Sequence, residues 1–340
     1  MTDDIGHDAS LESDGGTRGA APIDASTADG VADRPFRAGF VSFVGRPNVG
    51  KSTLTNALVG EKVAITSPKP QTTRRAIRGI VHRPDGQVVI VDTPGVHRPR
   101  TLLGERLNDL VQSTLADVDV IGFCVPAGEP IGPGDRYIND TLEQYPRAKK
   151  IAIVTKIDGV GKERVAGQLL AVSQLRDWDA IVPTSGTRSL QLETLLHEII
   201  GLLPESPQLY DAETVTEETM TDRIAELIRE AALDGVRDEL PHSLAVVIDD
   251  IDEPAESPET DAPAAERTNG ATRIFANLFV ERDSQKAIVI GRGGERLRDV
   301  GTRARAEIEQ LLGRHVYLNI RVKVAKEWQR DPKQLSRLGF

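Results

Sequence analysis

The stretch Gly45-Arg46-Pro47-Asn48-Val49-Gly50-Lys51-Ser52-Thr53 constrains the fold more than any other, because it fills the pattern G-x-x-x-x-G-K-[ST] completely. Such a loop works only where backbone N–H groups and the start of a helix converge on a phosphate, so it needs a strand before it and a helix after it. Both are readable. Phe40 to Val44 is an apolar run of strand length, and Thr53 to Leu58 is helix-compatible and free of Gly and Pro. Gly45 and Gly50 let the backbone bend close to an anion, Lys51 has the reach for β- and γ-phosphates, and the Ser52 hydroxyl is a ligand of the type Mg²⁺ takes.

From Phe40 to about Leu203 short apolar strands alternate with helical patterns, which predicts βαβ units and a mostly parallel sheet. The expected strands are Phe40 to Val44, Arg78 to His82, Val88 to Asp92, Val120 to Val125, Lys150 to Thr155 and Ala180 to Pro183. Helices are expected near Glu105 to Thr114, Gly134 to Tyr145 and Leu190 to Leu203. In such sheets ligands bind beyond the carboxyl ends of the strands, so the loops that follow them are where chemistry is sought.

Three further segments fall in such loops. Val91-Asp92-Thr93-Pro94-Gly95 closes a strand; Asp92 can hold a Mg²⁺-bound water and Gly95 can present its N–H to a γ-phosphate. Ile153-Val154-Thr155-Lys156-Ile157-Asp158 closes another. Its Asp158 carboxylate can accept from the N1–H and N2–H₂ edge of guanine, which adenine lacks, while the Lys156 stem packs on the base. Thr184-Ser185-Gly186 after the next strand fits a backbone contact to the base oxygen. Pro70-Gln71-Thr72-Thr73-Arg74 is a polar loop before a strand, and one of its Thr hydroxyls is a candidate to complete the Mg²⁺ shell when a γ-phosphate is present.

The C-terminal third has another pattern. Thr221 to Leu240 carries Ile224, Leu227, Ile228, Ala231 and Ala232 at helical spacing, and Leu244 to Ile248 and Thr272 to Val280 alternate as strands. Then Gly291-Arg292-Gly293-Gly294 forms a G-x-x-G loop between helical segments, followed by a helix to Leu312 and a strand from His315 to Lys326. A loop so placed, with Lys286, Arg292 and Arg296 around it, is built to clamp a few nucleotides of single-stranded RNA against its N–H groups. The net charge of −10 is no objection, because the charge is unevenly spread. Residues 1 to 36 hold 8 acidic residues against 2 Arg and are expected to be a disordered extension. Residues 251 to 270 hold 6 acids and 1 Arg and are expected to be a flexible insertion, whereas Glu281 to Arg330 holds 12 Lys/Arg against 7 Asp/Glu. The lone Cys124 rules out a disulfide framework, the His residues are scattered, and no apolar run approaches the ~18 residues that span a bilayer. With no basic-then-apolar leader either, a cytoplasmic place of action is expected.

In combination GRPNVGKST, PQTTR, VDTPG, TKID, VERDSQKAIVIGRGG and RVKVAKEW resemble the bacterial Era GTPases over about residues 38 to 340. The resemblance implies an α/β P-loop GTPase domain at 37–205, a linker at 206–216, a type II KH domain (α-β-β-α-α-β) at 217–326 and a tail at 327–340. It implies GTP and GDP as ligands with Mg²⁺, and binding of 16S ribosomal RNA near its 3′ end in assembly of the 30S subunit by a monomer, with some peripheral membrane association. By position, Asn48, Val49, Gly50, Lys51, Ser52 and Thr53 would carry phosphates and Mg²⁺. Thr73 would be the switch Thr, Asp92 and Gly95 the γ-phosphate side, and Lys156, Asp158 and Ser185 the guanine site, with Thr155 and Gly186 beside them. Two positions depart from the pattern: Thr155 stands where the family usually has an Asn that ties base site to phosphate loop, so it bears on nucleotide affinity, and Gly186 replaces the usual Ala. Val96 occupies the place of a water-orienting Gln, which predicts slow hydrolysis, and Asn48 is by analogy a candidate ligand for K⁺. The competing expectation is a membrane-surface module whose basic C-terminal region meets anionic lipid, with Trp328, Leu335, Leu338 and Phe340 as its apolar contacts.

Overall fold

The hydrophobic runs become strands in a six-stranded sheet of order β2-β3-β1-β4-β5-β6. Its strands are β1 (Arg37–Val44), β2 (Ile77–Arg83), β3 (Gly86–Asp92), β4 (Val120–Pro126), β5 (Lys149–Thr155) and β6 (Ala180–Pro183). The computed structural model describes residues 35–67, 69, 72–95, 101–236, 240–253 and 271–340. Nearly all of the N-terminal extension and of the 251 to 270 insertion therefore lies outside the described residues, as do Pro70, Gln71 and Val96. Strands β3 and β4 are buried at every position, as expected of strands covered on both faces. β1 runs parallel to β3 on one side and β4 on the other, and only β2 is antiparallel, folded back on β3. The loop after β1 thus leaves the sheet where the crossovers diverge, the usual position of a ligand crevice.

Helices α1 (Lys51–Val59), α2 (Leu102–Asp117), α3 (Pro133–Thr141), α4 (Lys162–Ser173) and α5 (Leu192–Leu202) cover the sheet, with a core on each face. Helix α4 is absent from the sequence expectation. Its buried residues are only Gln168 and Val172, and Leu170 points outward, so its apolar periodicity is weak.

The C-terminal part adds α6 (Met220–Leu233), α7 (Leu240–Ser243), β7 (Ala245–Asp252), β8 (Thr272–Val280), α8 (Asp283–Ile290), α9 (Glu295–Leu312), β9 (Val316–Val324) and α10 (Pro332–Arg337). Strands β7 and β8 are antiparallel and β8 and β9 parallel, so the order α6-β7-β8-α8-α9-β9 is the expected α-β-β-α-α-β. The helix expected to reach Leu240 stops at Leu233, and Gly235 with φ 69° turns the chain.

Phe36–Phe340 form one unit, and several of its contacts join the two parts. Ile65, from the loop after α1, packs into the C-terminal core. The tail is a correction to the sequence expectation. Trp328, Leu335 and Leu338 are fully buried among Leu103, Leu107, Ala245 and Phe279, with Phe340 packed against them, so these side chains are not available to lipid in this conformation. Their apolar pattern is used inside the molecule. No helix of the described residues is long and apolar enough to cross a membrane.

Candidate functional site

The loop from Gly45 to Gly50 turns directly from β1 into α1. A Cβ at Gly45 would come within 2.6 Å of the Cys124 carbonyl, so the first glycine of the motif is required by close backbone approach. Lys51 is buried and donates to the Gly45 carbonyl at 3.0 Å and the Arg46 carbonyl at 3.1 Å. Burial lowers its pKa from the ordinary lysine value, with the nearby Asp92 charge opposing.

Three residues from separate elements meet beside it. The Ser52 hydroxyl donates to Asp92 Oδ2 at 2.9 Å, the Thr73 hydroxyl donates to the same oxygen at 3.0 Å, and the two hydroxyls lie 3.2 Å apart. Asp92 is fully buried; burial raises its pKa while Lys51, Ser52 and Thr73 oppose the rise. Its second oxygen, Oδ1, is buried with no hydrogen-bond partner. A carboxylate with an unpartnered buried oxygen beside two hydroxyls is a set of hard oxygen donors, and that donor chemistry fits Mg²⁺. Gly95 closes the cluster: a Cβ there would lie 3.6 Å from Lys51 Nζ. A cavity of about 360 Å³ runs over these groups, lined among others by Asn48, Ser52, Thr73, Thr93, Gly95 and Lys156.

The far end of that cavity belongs to β5. The Thr155 hydroxyl donates to the Val49 carbonyl at 2.6 Å and lies 3.2 Å from the Val125 carbonyl. The shorter side chain therefore does tie the β5 end to the phosphate loop. Lys156 sits at φ 57° and its Nζ donates to the Asn48 carbonyl at 2.5 Å, which lays its stem along the loop. Asp158 is exposed in the short turn that follows, while Ser185 is buried and exchanges backbone hydrogen bonds with Leu190. Gly186 packs so closely on α1 that a Cβ would be 3.0 Å from the Thr53 carbonyl. Cys124 is buried and its thiol is pushed up to about 12 by desolvation, which leaves it inert.

The second candidate surface lies on the C-terminal part. Gly291, Gly293 and Gly294 all have positive φ, and Arg292 between them is exposed. A Cβ at Gly291 would meet that of Arg296 at 2.8 Å. Lys286 is half-buried on α8. The Arg296 guanidinium donates to the carbonyls of Ala232 and Asp234, so part of its hydrogen-bonding capacity secures the end of α6. Sequence reasoning missed the groove beside the loop, a cavity of about 360 Å³ between α9 and β9 lined by Leu297, Arg298, Arg305, Tyr317 and Ile320. The signal was present, since 294, 297/298, 301/302 and 305 share one face of a helix.

The profile of the 50S ribosome-binding GTPase family matches residues 40–156, and that of the KH domain matches residues 239–329. The chain is 71% identical over 306 residues to GTPase Era of Leifsonia xyli subsp. xyli, covering 90% of this chain and 99% of that one. It is 61% identical over 307 residues to GTPase Era of Mycolicibacterium smegmatis, with the same coverage. Among solved structures it is similar to Era in complex with MgGDPNP and nucleotides 1506–1542 of 16S ribosomal RNA, at a TM-score of 0.81 and 34% identity over 89% of this chain and 99% of that chain. A variant of Aquifex aeolicus Era bound to GDP·AlF₄⁻ gives a TM-score of 0.82 at 34% identity, again over 89% and 99%.

Proposed function

The chain belongs to the Era family of GTPases, and from that membership we propose that it is a GTP-hydrolysing switch that binds 16S ribosomal RNA near its 3′ end and assists assembly of the 30S subunit. The observation that carries the enzymatic half is the convergence of Ser52, Thr73 and Asp92 at the head of α1, with Asp92 Oδ1 unpartnered. Here Ser52 and Thr73 would hold Mg²⁺ and Asp92 would support them. When bound, the ion offsets charge on the phosphates of GTP. The loop N–H groups and Lys51 hold those phosphates; Lys51 exchanges its two carbonyl acceptors for phosphate oxygens, which restores the favourable surroundings that burial denies its charge. Lys156, Asp158 and Ser185 read the guanine, and Thr155 keeps that site in register with the loop.

The RNA half is supported by the Gly291–Gly294 loop and its groove, which offer N–H groups, Arg292 and Arg298 to phosphates and Leu297, Tyr317 and Ile320 to bases. Action in the cytoplasm, by a monomer, is part of this proposal. K⁺ at the exposed Asn48, on the rim of the phosphate loop, is proposed as the ion that makes up for the apolar Val96. The test is to crosslink the purified chain to a 16S 3′-end RNA and to follow phosphate release from GTP in K⁺ and Na⁺ buffers. Crosslinks confined to the α8–α9 loop and groove, with faster turnover in K⁺, are expected. Equal turnover in the two buffers removes the ion, and crosslinks spread over the GTPase sheet remove the RNA assignment.

A further inference from the structure

Thr73 reaches the Ser52–Asp92 cluster from a segment whose residues Thr72, Arg74 and Arg75 are held by the C-terminal part. The Thr72 carbonyl accepts from Arg229 of α6, and Arg75 pairs with Asp222 at the start of that helix. Between them, Arg74 is only 3% exposed and points away from the nucleotide side. Its guanidinium donates to three carbonyls at the end of α7: Pro241 at 2.9 Å, His242 at 2.8 Å and Leu244 at 2.5 Å. It also lies 5.8 Å from the centre of the Trp328 ring and 5.9 Å from that of Phe340. Trp328 Nε1 donates to the Ser243 carbonyl at 3.1 Å, so the ring is fixed to the same turn of backbone.

A buried guanidinium with no carboxylate on it among the described residues is costly unless its donors are used. Burial, and then the charge of Arg229, lower its pKa to about 9. What holds Arg74 is a geometric match: a planar fork of donors meets carbonyls that the C-terminal end of α7 leaves exposed, and two rings cover it. Lysine has the charge and the reach of one carbonyl, but not the fork.

We propose that Arg74 is a positioning residue for GTP binding and hydrolysis: anchored on α7 and the C-terminal tail, it holds Thr73 in reach of the metal site. The C-terminal domain thereby becomes part of the machinery that distinguishes GTP from GDP. The inference rests on the reading of Thr73 as a Mg²⁺ ligand in the GTP state. GDP lacks the γ-phosphate that calls on Thr73, so the loss of its anchor penalises one nucleotide and spares the other.

The experiment uses the full chain and measures affinity for a non-hydrolysable GTP analogue and for GDP in saturating Mg²⁺, in the parent, Arg74→Lys, Thr73→Ala and the double variant. Arg74→Lys is expected to weaken the analogue at least tenfold with GDP within twofold, and to add less than twofold when Thr73 is already Ala. A merely structural role would weaken both nucleotides equally and would persist in the Thr73→Ala background; either result overturns the proposal. If Thr73→Ala alone leaves the analogue unchanged, the reading of Thr73 has failed. If it weakens the analogue but Arg74→Lys does not, the role of Arg74 alone has failed. Hydrogen exchange on the unaltered chain guards against a variant that does not fold. Amides of residues 242–245, 328–331 and 333–340 should be better protected with analogue and Mg²⁺ than with GDP, because coupling between two sites is reciprocal. Equal protection in the two states refutes the anchor.

Discussion

Replacing Thr155 by Val removes one hydroxyl and keeps the side-chain shape, so it isolates the tie between the guanine end of the cavity and the phosphate loop. One hydroxyl proton serves one acceptor at a time, and the bond to the Val49 carbonyl is the shorter, at 2.6 Å against 3.2 Å to Val125. Val breaks that bond and leaves its acceptor facing a methyl group at a site that is 3% exposed. A neutral hydrogen bond contributes about 0.5–1.5 kcal/mol net, while a buried acceptor left unpaired costs about 1–3 kcal/mol. Val49 belongs to the loop that must aim its N–H groups at phosphates, so the cost divides between the fold and the nucleotide. Because 1.4 kcal/mol is tenfold in affinity, GDP binding should weaken by roughly 3- to 30-fold, with about 1 kcal/mol lost from the unfolding free energy of the nucleotide-free chain. Titration with a fluorescent GDP analogue and urea denaturation read the two quantities. Thr155→Ser, which keeps the hydroxyl, should stay within about threefold of the parent for GDP. GDP affinity within twofold and unchanged stability for Val would refute the reasoning. A Ser variant as weak as Val would assign the effect to the lost methyl group instead.

Three further outcomes are expected. Asp158→Asn presents an amide to the guanine edge and should shift preference from GTP to XTP, checked by competition; retained preference for GTP would move guanine recognition elsewhere. Replacing Arg292 and Gly293 together by Asp puts carboxylates where phosphates must sit and adds a side chain at φ 58°, so specific RNA binding measured by anisotropy across a salt series should be lost. The parent should show a slope of log affinity against log salt near −2, from about three phosphate contacts on a single strand. Asp222 is pushed up by burial, but bonds from Thr219 and Arg75 outweigh that and hold its pKa below the usual carboxylate value. The native state therefore binds fewer protons than the unfolded chain between the depressed value and the ordinary ~3.9, so this stabilisation is present above that window and is lost as pH falls through it. Melting temperature followed from pH 7 downwards should show the loss, and Asp222→Asn should flatten that part of the curve.

The strands were legible because strands buried on both faces must be written as apolar runs, and Val120–Pro126 contains nothing else. The proposed phosphate and metal residues stood out in the sequence for a related reason: the chemistry proposed for Gly45, Lys51, Ser52 and Asp92 is one that few side chains can replace. Helix α4 was hidden because it buries only Gln168 and Val172. The tail showed its apolar residues but not their partner, since the same pattern satisfies a lipid surface or a cleft beside α2. Arg74 was hidden most completely. In Pro70-Gln71-Thr72-Thr73-Arg74 it reads as a solvated charge, and its acceptors are backbone carbonyls, which every residue carries and no sequence pattern marks.

That same invisibility made the two candidate sites look independent, one per domain. The structure joins them through a single turn of backbone. The carbonyls that receive Arg74 flank Ser243, whose Oγ accepts from Gln285 Nε2 at 3.1 Å and donates to Glu281 Oε2 at 3.2 Å. Gln285 in turn accepts from the backbone N–H of Glu281 at 2.9 Å and of Arg282 at 3.1 Å, fixing the first turn of α8. Helix α8 is 8 residues long and runs straight into Gly291. Thr73 at the Ser52–Asp92 cluster and the Gly291–Gly294 loop are therefore separated by one buried guanidinium, one short helix end and one two-turn helix. Contact of this kind transmits only what a discrete rearrangement at one end costs at the other. Arg74 is suited to that: three carbonyl bonds and two ring contacts are formed by one planar group, so a change that unseats the guanidinium would break them together.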